Sequence, residues 1–234
     1  MYGRLFCRLY DGFGWNEYPR TFCEQLMKWL SARGTRVARA LDLGCGTGVL
    51  CQALSARGIE AEGIDLSPEM IAIARSRAPG LAFTAADMVT WRPEGRYDLV
   101  TCTGDALNHI FDPGDVARVF RNVHDVLTDG GFFIFDLLNA SEVPSGEAFE
   151  AETSDGQQVR FHTELDPDQV VRLTVEVRED GRFRYRETIL EKLHDPAAIQ
   201  HALRASGLTV LQCADRLNPE ALPTETLYIA AQRR

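Results

Sequence analysis

The sequence predicts a doubly wound α/β fold, a parallel sheet flanked by helices, with an antiparallel β meander inserted after the fifth strand. Three observations carry this. From Val37 to Leu138 short apolar runs alternate with amphipathic helical stretches, the mark of consecutive βαβ units. The first run enters LDLGCGTG, Leu41 to Gly48, with glycines at 44, 46 and 48. Glycines so spaced serve where the backbone turns sharply or a ligand presses on it. From Asn139 to Leu193 the period changes to two: Val159, Phe161 and Thr163, then Val171, Leu173, Val175 and Val177, alternate with polar residues.

The elements follow in order. Met1 to Trp29 is rich in aromatics. Phe22, Leu26, Trp29 and Leu30 have helical spacing and predict an amphipathic helix over a sheet edge. Tyr10 to Arg20 holds Gly12, Gly14 and Pro19, which predict an irregular segment; its aromatics, Tyr10, Trp15 and Tyr18 among them, suit a lid over a ligand. Val37 to Leu43 is the first strand, and Val49 to Arg57 is a helix whose N-terminal amides face the glycine turn. Ile59 to Ile64 is a second strand ending in Asp65, an acid suited to accept both ribose hydroxyls of an adenosine group. Ser67 caps the next helix and Pro68 occupies its first position. After a third strand, Leu81 to Ala85, Asp87 can accept an adenine amine, with Met88 against the ring. Tyr97 to Cys102 is a fourth strand, leading into Thr103-Gly104-Asp105. A helix over Asp115 to Leu127, closed by Asp129-Gly130-Gly131, precedes a fifth strand, Phe132 to Phe135.

In the meander, Asp166-Pro167-Asp168 and Asp180-Gly181 mark turns. Its polar face carries Arg160, Arg172, Arg178, Arg182, Arg184 and Arg186 among glutamates, read as a solvated face, with a substrate or subunit surface as the alternative. Asp195-Pro196 starts a last helix, stopped by Gly207, and Leu208 to Cys213 and Thr226 to Ala231 are closing strands. In a doubly wound sheet the ligand crevice lies at the carboxyl ends of the strands, where Gly44, Asp65, Asp87 and Thr103 converge.

A net charge of -9 with no Lys/Arg run argues against a nucleic-acid partner. No run approaches the ~20 apolar residues of a membrane span. Six cysteines without a CxxC pair predict reduced thiols, a cytoplasmic protein and no metal site. A dinucleotide is the competing ligand, but its GxGxxG turn needs glycine at position 49, where this chain has Val49.

The motifs LDLGCGTG, GIDLS, AADM, YDLVTCTGD and DGGFFIFDL stand in the order of the class I S-adenosylmethionine-dependent methyltransferases, which the chain resembles over Val37 to Leu138 and Pro196 to Gln232. The resemblance implies a seven-stranded, Rossmann-like sheet with an antiparallel last strand. It divides the chain into an N-terminal helical and aromatic lid (1–36), the cofactor-binding half of the core (37–138), the β insertion (139–193) and the closing helix and strands (194–234). It implies S-adenosylmethionine as cofactor, with Gly44 and Gly46 at its methionine portion and Thr103 nearby. A closer likeness is to small-molecule N-methyltransferases of the glycine and sarcosine kind. It implies that Trp15, Tyr18 and Arg20 approach the cofactor, Arg20 at its carboxylate, and that His109 lies beside it as carboxylate partner or general base. That group has Gly-Asn where this chain has Gly104 and Asp105. The acid implies an amine acceptor gripped or deprotonated by Asp105, rather than glycine itself. The expected function is methyl transfer to a small amine. O-methylation of a small hydroxyl compound and non-catalytic cofactor binding are the alternatives, and the meander is one surface through which copies could associate.

Overall fold

The computed structural model describes residues 2–92, 94–139, 143, 146, 148–153, 156–179, 182–218 and 226–234. Along the chain come α1 (Arg4–Leu9), α2 (Glu17–Ser31), β1 (Arg39–Leu43), α3 (Val49–Ser55), β2 (Glu60–Asp65), α4 (Pro68–Arg77), β3 (Ala82–Ala85), β4 (Tyr97–Cys102), α5 (Pro113–Val126) and β5 (Leu127–Leu138). Four strands follow: β6 (Ala148–Glu152), β7 (Gln158–Leu165), β8 (Val170–Glu179) and β9 (Arg182–Lys192). Then α6 (Pro196–Ala205), β10 (Leu208–Ala214) and β11 (Thr226–Arg233) close the chain.

The larger sheet has seven strands in the order β10-β11-β5-β4-β1-β2-β3. From β3 to β5 neighbours are parallel. β11 runs antiparallel to β5, and β10 to β11. The strand order reverses between β1 and β4, the position at which such sheets open a crevice. Both faces are covered, so the central strands are largely apolar, with Asp42 of β1, Thr101 of β4 and Asp136 of β5 as buried polar exceptions. One face receives α5 and α6, through Val119, Phe120, Val123 and Leu203. The other receives α2, α3 and α4, through Leu26, Trp29, Leu54 and Ile71. Each such side chain contributes about 1.5–3 kcal/mol on burial. The apolar stripe of α2 thus lies on a sheet face, not an edge: Trp29 meets Phe132 edge-on and Phe22 stacks on Tyr228.

The helix starts follow their caps. Ser67 Oγ accepts the Met70 N–H, and the carboxylates of Asp112 and Asp195 each accept two amides of the following turn. Proline follows each cap, where no amide hydrogen is needed. The Asp112 cap moves the start of α5 to Pro113, before the expected Asp115. Two further expectations are corrected. Pro19 does not keep its surroundings irregular. It is the third residue of α2, within the first turn, whose amides have no helical partner, so Tyr18 and Arg20 are helical. Asp129-Gly130-Gly131 is no separate turn. The turn is absorbed within β5, where pairing with β4 shifts register between Tyr97 and Leu99 and Gly130 takes φ +79°.

The insertion is a separate antiparallel sheet in the order β6-β7-β8-β9. Its inner face packs Val159, Phe161, Val175, Val177 and Ile189 against Phe6 and Leu9 of α1, with Tyr10, Phe13 and Trp15 around them. The N-terminal aromatics therefore share a core with the insertion. On its outer face the register sets Glu176 opposite Arg186 and Arg160, and Glu164 opposite Arg172. Opposite charges across strands account for Arg160, Arg172 and Arg186 there. The expected turn at Asp180-Gly181 lies outside the described residues. The Asn108 amide ties the roots of the insertion together: its Nδ2 donates to Lys192 O at 2.7 Å and its Oδ1 accepts the Leu138 N–H at 3.3 Å.

Candidate active site

Two cavities meet beneath the N-terminal segment, sharing Tyr2, Tyr10 and Gly104 in their walls. The larger, about 460 Å³, lies at the carboxyl ends of β1 to β4. Gly44, Gly46, Asp65, Asp87, Met88, Thr103 and His109 line it. Sequence reasoning named all seven. Gly44 has φ +72°, and a Cβ there would come within 2.6 Å of Ala106 Cβ. No other residue fits that contact, so the turn must be glycine.

Local bonds fix the acids. Asp65 accepts the Gly46 N–H at 2.9 Å and the Ser67 N–H at 2.8 Å, one on each oxygen. A carboxylate has further lone pairs for a ligand. Burial raises its pKa, and the two amides oppose that. Asp87 accepts the Val89 N–H at 2.8 Å through Oδ1, and Asn122 of α5 holds the same loop by donating to the carbonyls of Met88 and Val89.

The smaller cavity, about 330 Å³, lies between the two sheets. Asp105, Tyr10, Trp15 and Tyr18 line it, together with Phe149, Leu173, Ile189 and Glu191 from the insertion. Trp15 and Tyr18 thus face this cavity rather than the larger one, while Tyr10 and Gly104 face both. Arg20 lines neither. Its side chain is 52% exposed and pairs with Glu17 at 3.8 Å.

Asp105 is an N-cap held at φ +61°. Asp is one of the few residues that tolerate this region, and such strain concentrates at functional sites. Asp136, fully buried on β5, holds it there. It accepts the Gly104 and Asp105 N–H groups, both at 3.0 Å, and the Tyr18 hydroxyl. Burial pushes both carboxyls up, Asp105 the more strongly because the charges of Asp136 and Glu191 add to it. The three donors on Asp136 oppose the rise of its own carboxyl. Sequence reasoning missed Asp136, although a lone acid in the apolar run FFIFDLL was a signal.

His109 joins the cavities. Its Nδ1 lies 3.2 Å from Leu190 O, and its Nε2 lies 2.9 Å from the Tyr2 hydroxyl. A carbonyl only accepts, so Nδ1 carries the proton and Nε2 accepts from Tyr2. Burial lowers the His109 pKa, which keeps the ring neutral. Above the glycine turn, Thr47 donates to Asp11 Oδ1 at 3.0 Å, and Arg77 binds the carboxylate of Asp11 together with the Thr47 hydroxyl and carbonyl. This latch fastens the N-terminal segment to the turn.

Among the described residues no group of three or more His, Cys, Asp or Glu could hold a metal ion, and no helix is long and apolar enough to cross a membrane. All six cysteines are free.

A family profile described as a methyltransferase domain matches residues 40–131. A candidate methyltransferase of Geobacillus sp. (strain WCH70) is 27% identical over 90% of both chains. A ubiquinone biosynthesis O-methyltransferase of Burkholderia cenocepacia is 35% identical over 47% of this chain and 49% of its own. Among solved structures, an amino pentose methyltransferase from Micromonospora echinaspora has the same fold, with a TM-score of 0.79 over 100% of this chain and 98% of that one, at 23% identity. The domain match from β1 to the start of β5, the relative along nine-tenths of the chain, and a sheet whose last strand alone reverses beside β5 make this chain similar to methyltransferases, with the fold of the solved S-adenosylmethionine-bound one.

Proposed function

We propose that the chain methylates the nitrogen of a small amine, with S-adenosylmethionine in the larger cavity and the acceptor in the smaller. The observation that carries this reading is the junction of the cavities at Gly104-Asp105, where a carboxylate faces an aromatic space lined by no Arg or Lys among the described residues.

The larger cavity fits the cofactor. It has the size of a small-ligand site. Gly46 leaves open space where a Cβ would stand, Asp65 and Asp87 keep lone pairs free, and exposed Leu66 and Phe111 offer apolar surface at the rim. Gly44 and Gly46 would border the methionine portion, Asp65 the ribose, and Asp87 with Met88 the adenine; Thr103 and His109 would flank the sulfur end. Arg20, exposed on α2, has no part in this reading. When bound, the cofactor supplies an electrophilic sulfonium methyl with a neutral leaving group. Asp105 binds the acceptor ammonium, takes its proton and aims the lone pair. Tyr2, Tyr10, Trp15 and Tyr18 exclude water and hold the acceptor in line, and such alignment supplies much of the rate in a displacement of this kind. The solved amino pentose methyltransferase makes amino sugars the first class to screen, by analogy of fold.

Two measurements test the reading. Calorimetry should show micromolar binding of the cofactor or its demethylated product, and Asp65→Ala should weaken it by about 1–3 kcal/mol, since hydrogen bonds to two hydroxyls are lost. Tighter binding of NAD overturns the cofactor assignment. Turnover on matched amines, amino sugars and phenols then identifies the accepting atom; turnover on phenols alone replaces N- by O-methylation.

The N-terminal segment acts as the cover of both cavities in this reading. Amides from Tyr10 to Arg20 should exchange more slowly once cofactor is bound, because Tyr10 borders the ligand and the Asp11–Arg77 latch sits on the glycine turn. Equal protection in both states returns these aromatics to plain packing.

A further inference from the structure

The smaller cavity contains a second carboxylate that the reading above leaves unused. On β9, Tyr185, Glu187, Ile189 and Glu191 form the row that points inward, while the residues between them are exposed or nearly so. Glu187 has a structural partner, since its Oε1 accepts the Gly3 N–H at 2.7 Å. Glu191 has a different neighbourhood. Its ion-pair contact is His109 Nε2 at 3.8 Å, and that nitrogen already accepts the Tyr2 hydroxyl, so it offers no proton while the ring is neutral.

Asp105 faces the same space from the other sheet. Tyrosines, Trp15 and aliphatic side chains line the same cavity with the two acids. Burial pushes Glu191 up to about 7, and the charge of Glu191 helps to raise Asp105. Two acids that repel each other in a space with mostly apolar walls are each stabilised by a cation placed between them. The aromatic faces around them favour the same kind of ligand.

We propose that Glu191 is the second anchor of the acceptor, so that the ammonium group is held between Glu191 and Asp105 and positive charge selects the acceptor. This inference rests on the smaller cavity being the acceptor site.

The experiment compares two ligands of nearly the same shape, cyclohexylamine, which is protonated at pH 8, and cyclohexanol. Both are titrated by calorimetry into the full chain saturated with the demethylated cofactor. The wild type should prefer the ammonium at least tenfold. Glu191→Gln should lose tenfold or more of the ammonium affinity and stay within twofold for cyclohexanol. Glu191→Asp, which restores the charge, should recover most of the preference. Cofactor-product affinity within threefold of wild type in both variants reports an intact fold. If Glu191→Gln keeps the full preference, Glu191 is not an anchor and the amine reading stands. If Glu191→Asp is as impaired as Glu191→Gln, the position matters for shape and not for charge, which also overturns the proposal. If the wild type shows no preference, both readings fall together.

Discussion

Asp105→Asn is expected to lower turnover at least tenfold while cofactor affinity stays within about threefold, a change below roughly 1 kcal/mol. The substitution isolates the charge. Asn tolerates the left-handed region as Asp does, and the bonds that hold the turn run from the backbone amides of Gly104 and Asp105 to Asp136. Asn keeps the volume and loses the group that would hold an ammonium and take its proton, a loss typically worth about 10²–10⁴ in rate. Steady-state rates and cofactor titration on the same preparations measure it. Unchanged turnover makes Asp105 a bystander. Turnover lost together with cofactor binding moves it into the cofactor cavity.

Asp136→Ala should destabilise the fold by about 3–5 kcal/mol and abolish activity. Two backbone amides and the Tyr18 hydroxyl would lose their acceptor at a fully buried position. Each buried donor left unpaired costs about 1–3 kcal/mol, less what is regained by no longer burying a charge. Urea denaturation gives the loss directly. A variant within about 1 kcal/mol of wild type would mean that the turn holds itself and that Asp136 is not its support. Asp136→Asn is not a benign substitute, because its NH₂ would face one of the two amides with no acceptor between them.

How far the sequence could be read depended on how local the signal was. The glycine turn, Asp65 and Asp87 are legible because strand, turn and helix lie within a few residues of each other, and the crossover rule brings their strand ends together. Gly44, Gly46, Asp65, Asp87, Met88 and Thr103 line the larger cavity for that reason. Arg20 shows the limit. Its distance from Tyr18 was read along a loop, but in α2 two residues subtend about 200°, so Tyr18 turns inward and Arg20 outward. Tyr2 and Glu191 had no local signal at all. They meet across His109 only because α1 packs on the inserted sheet and β9 returns to the core beside Asn108. The alternation of the insertion was legible because it is local, and its outward row is largely polar. Which inward residue reaches the cavity depends on how the two sheets pack.

The two cavities also draw their walls from different stretches of chain. Among the described residues, the larger is lined by none from 139–193, whereas the smaller takes Val143, Phe149, Thr163, Val171, Leu173, Ile189 and Glu191 from that interval. Mutation in the inserted strands can therefore remodel one wall without touching the glycine turn or the acids at the ends of β2 and β3. A lineage carrying this architecture can change what it methylates while keeping the methyl donor, and an engineer can do the same by grafting strands between Leu138 and Leu193. The parts that would diverge fastest between relatives are then the inserted strands that wall the smaller cavity, and the glycine motif would say least about what that cavity takes.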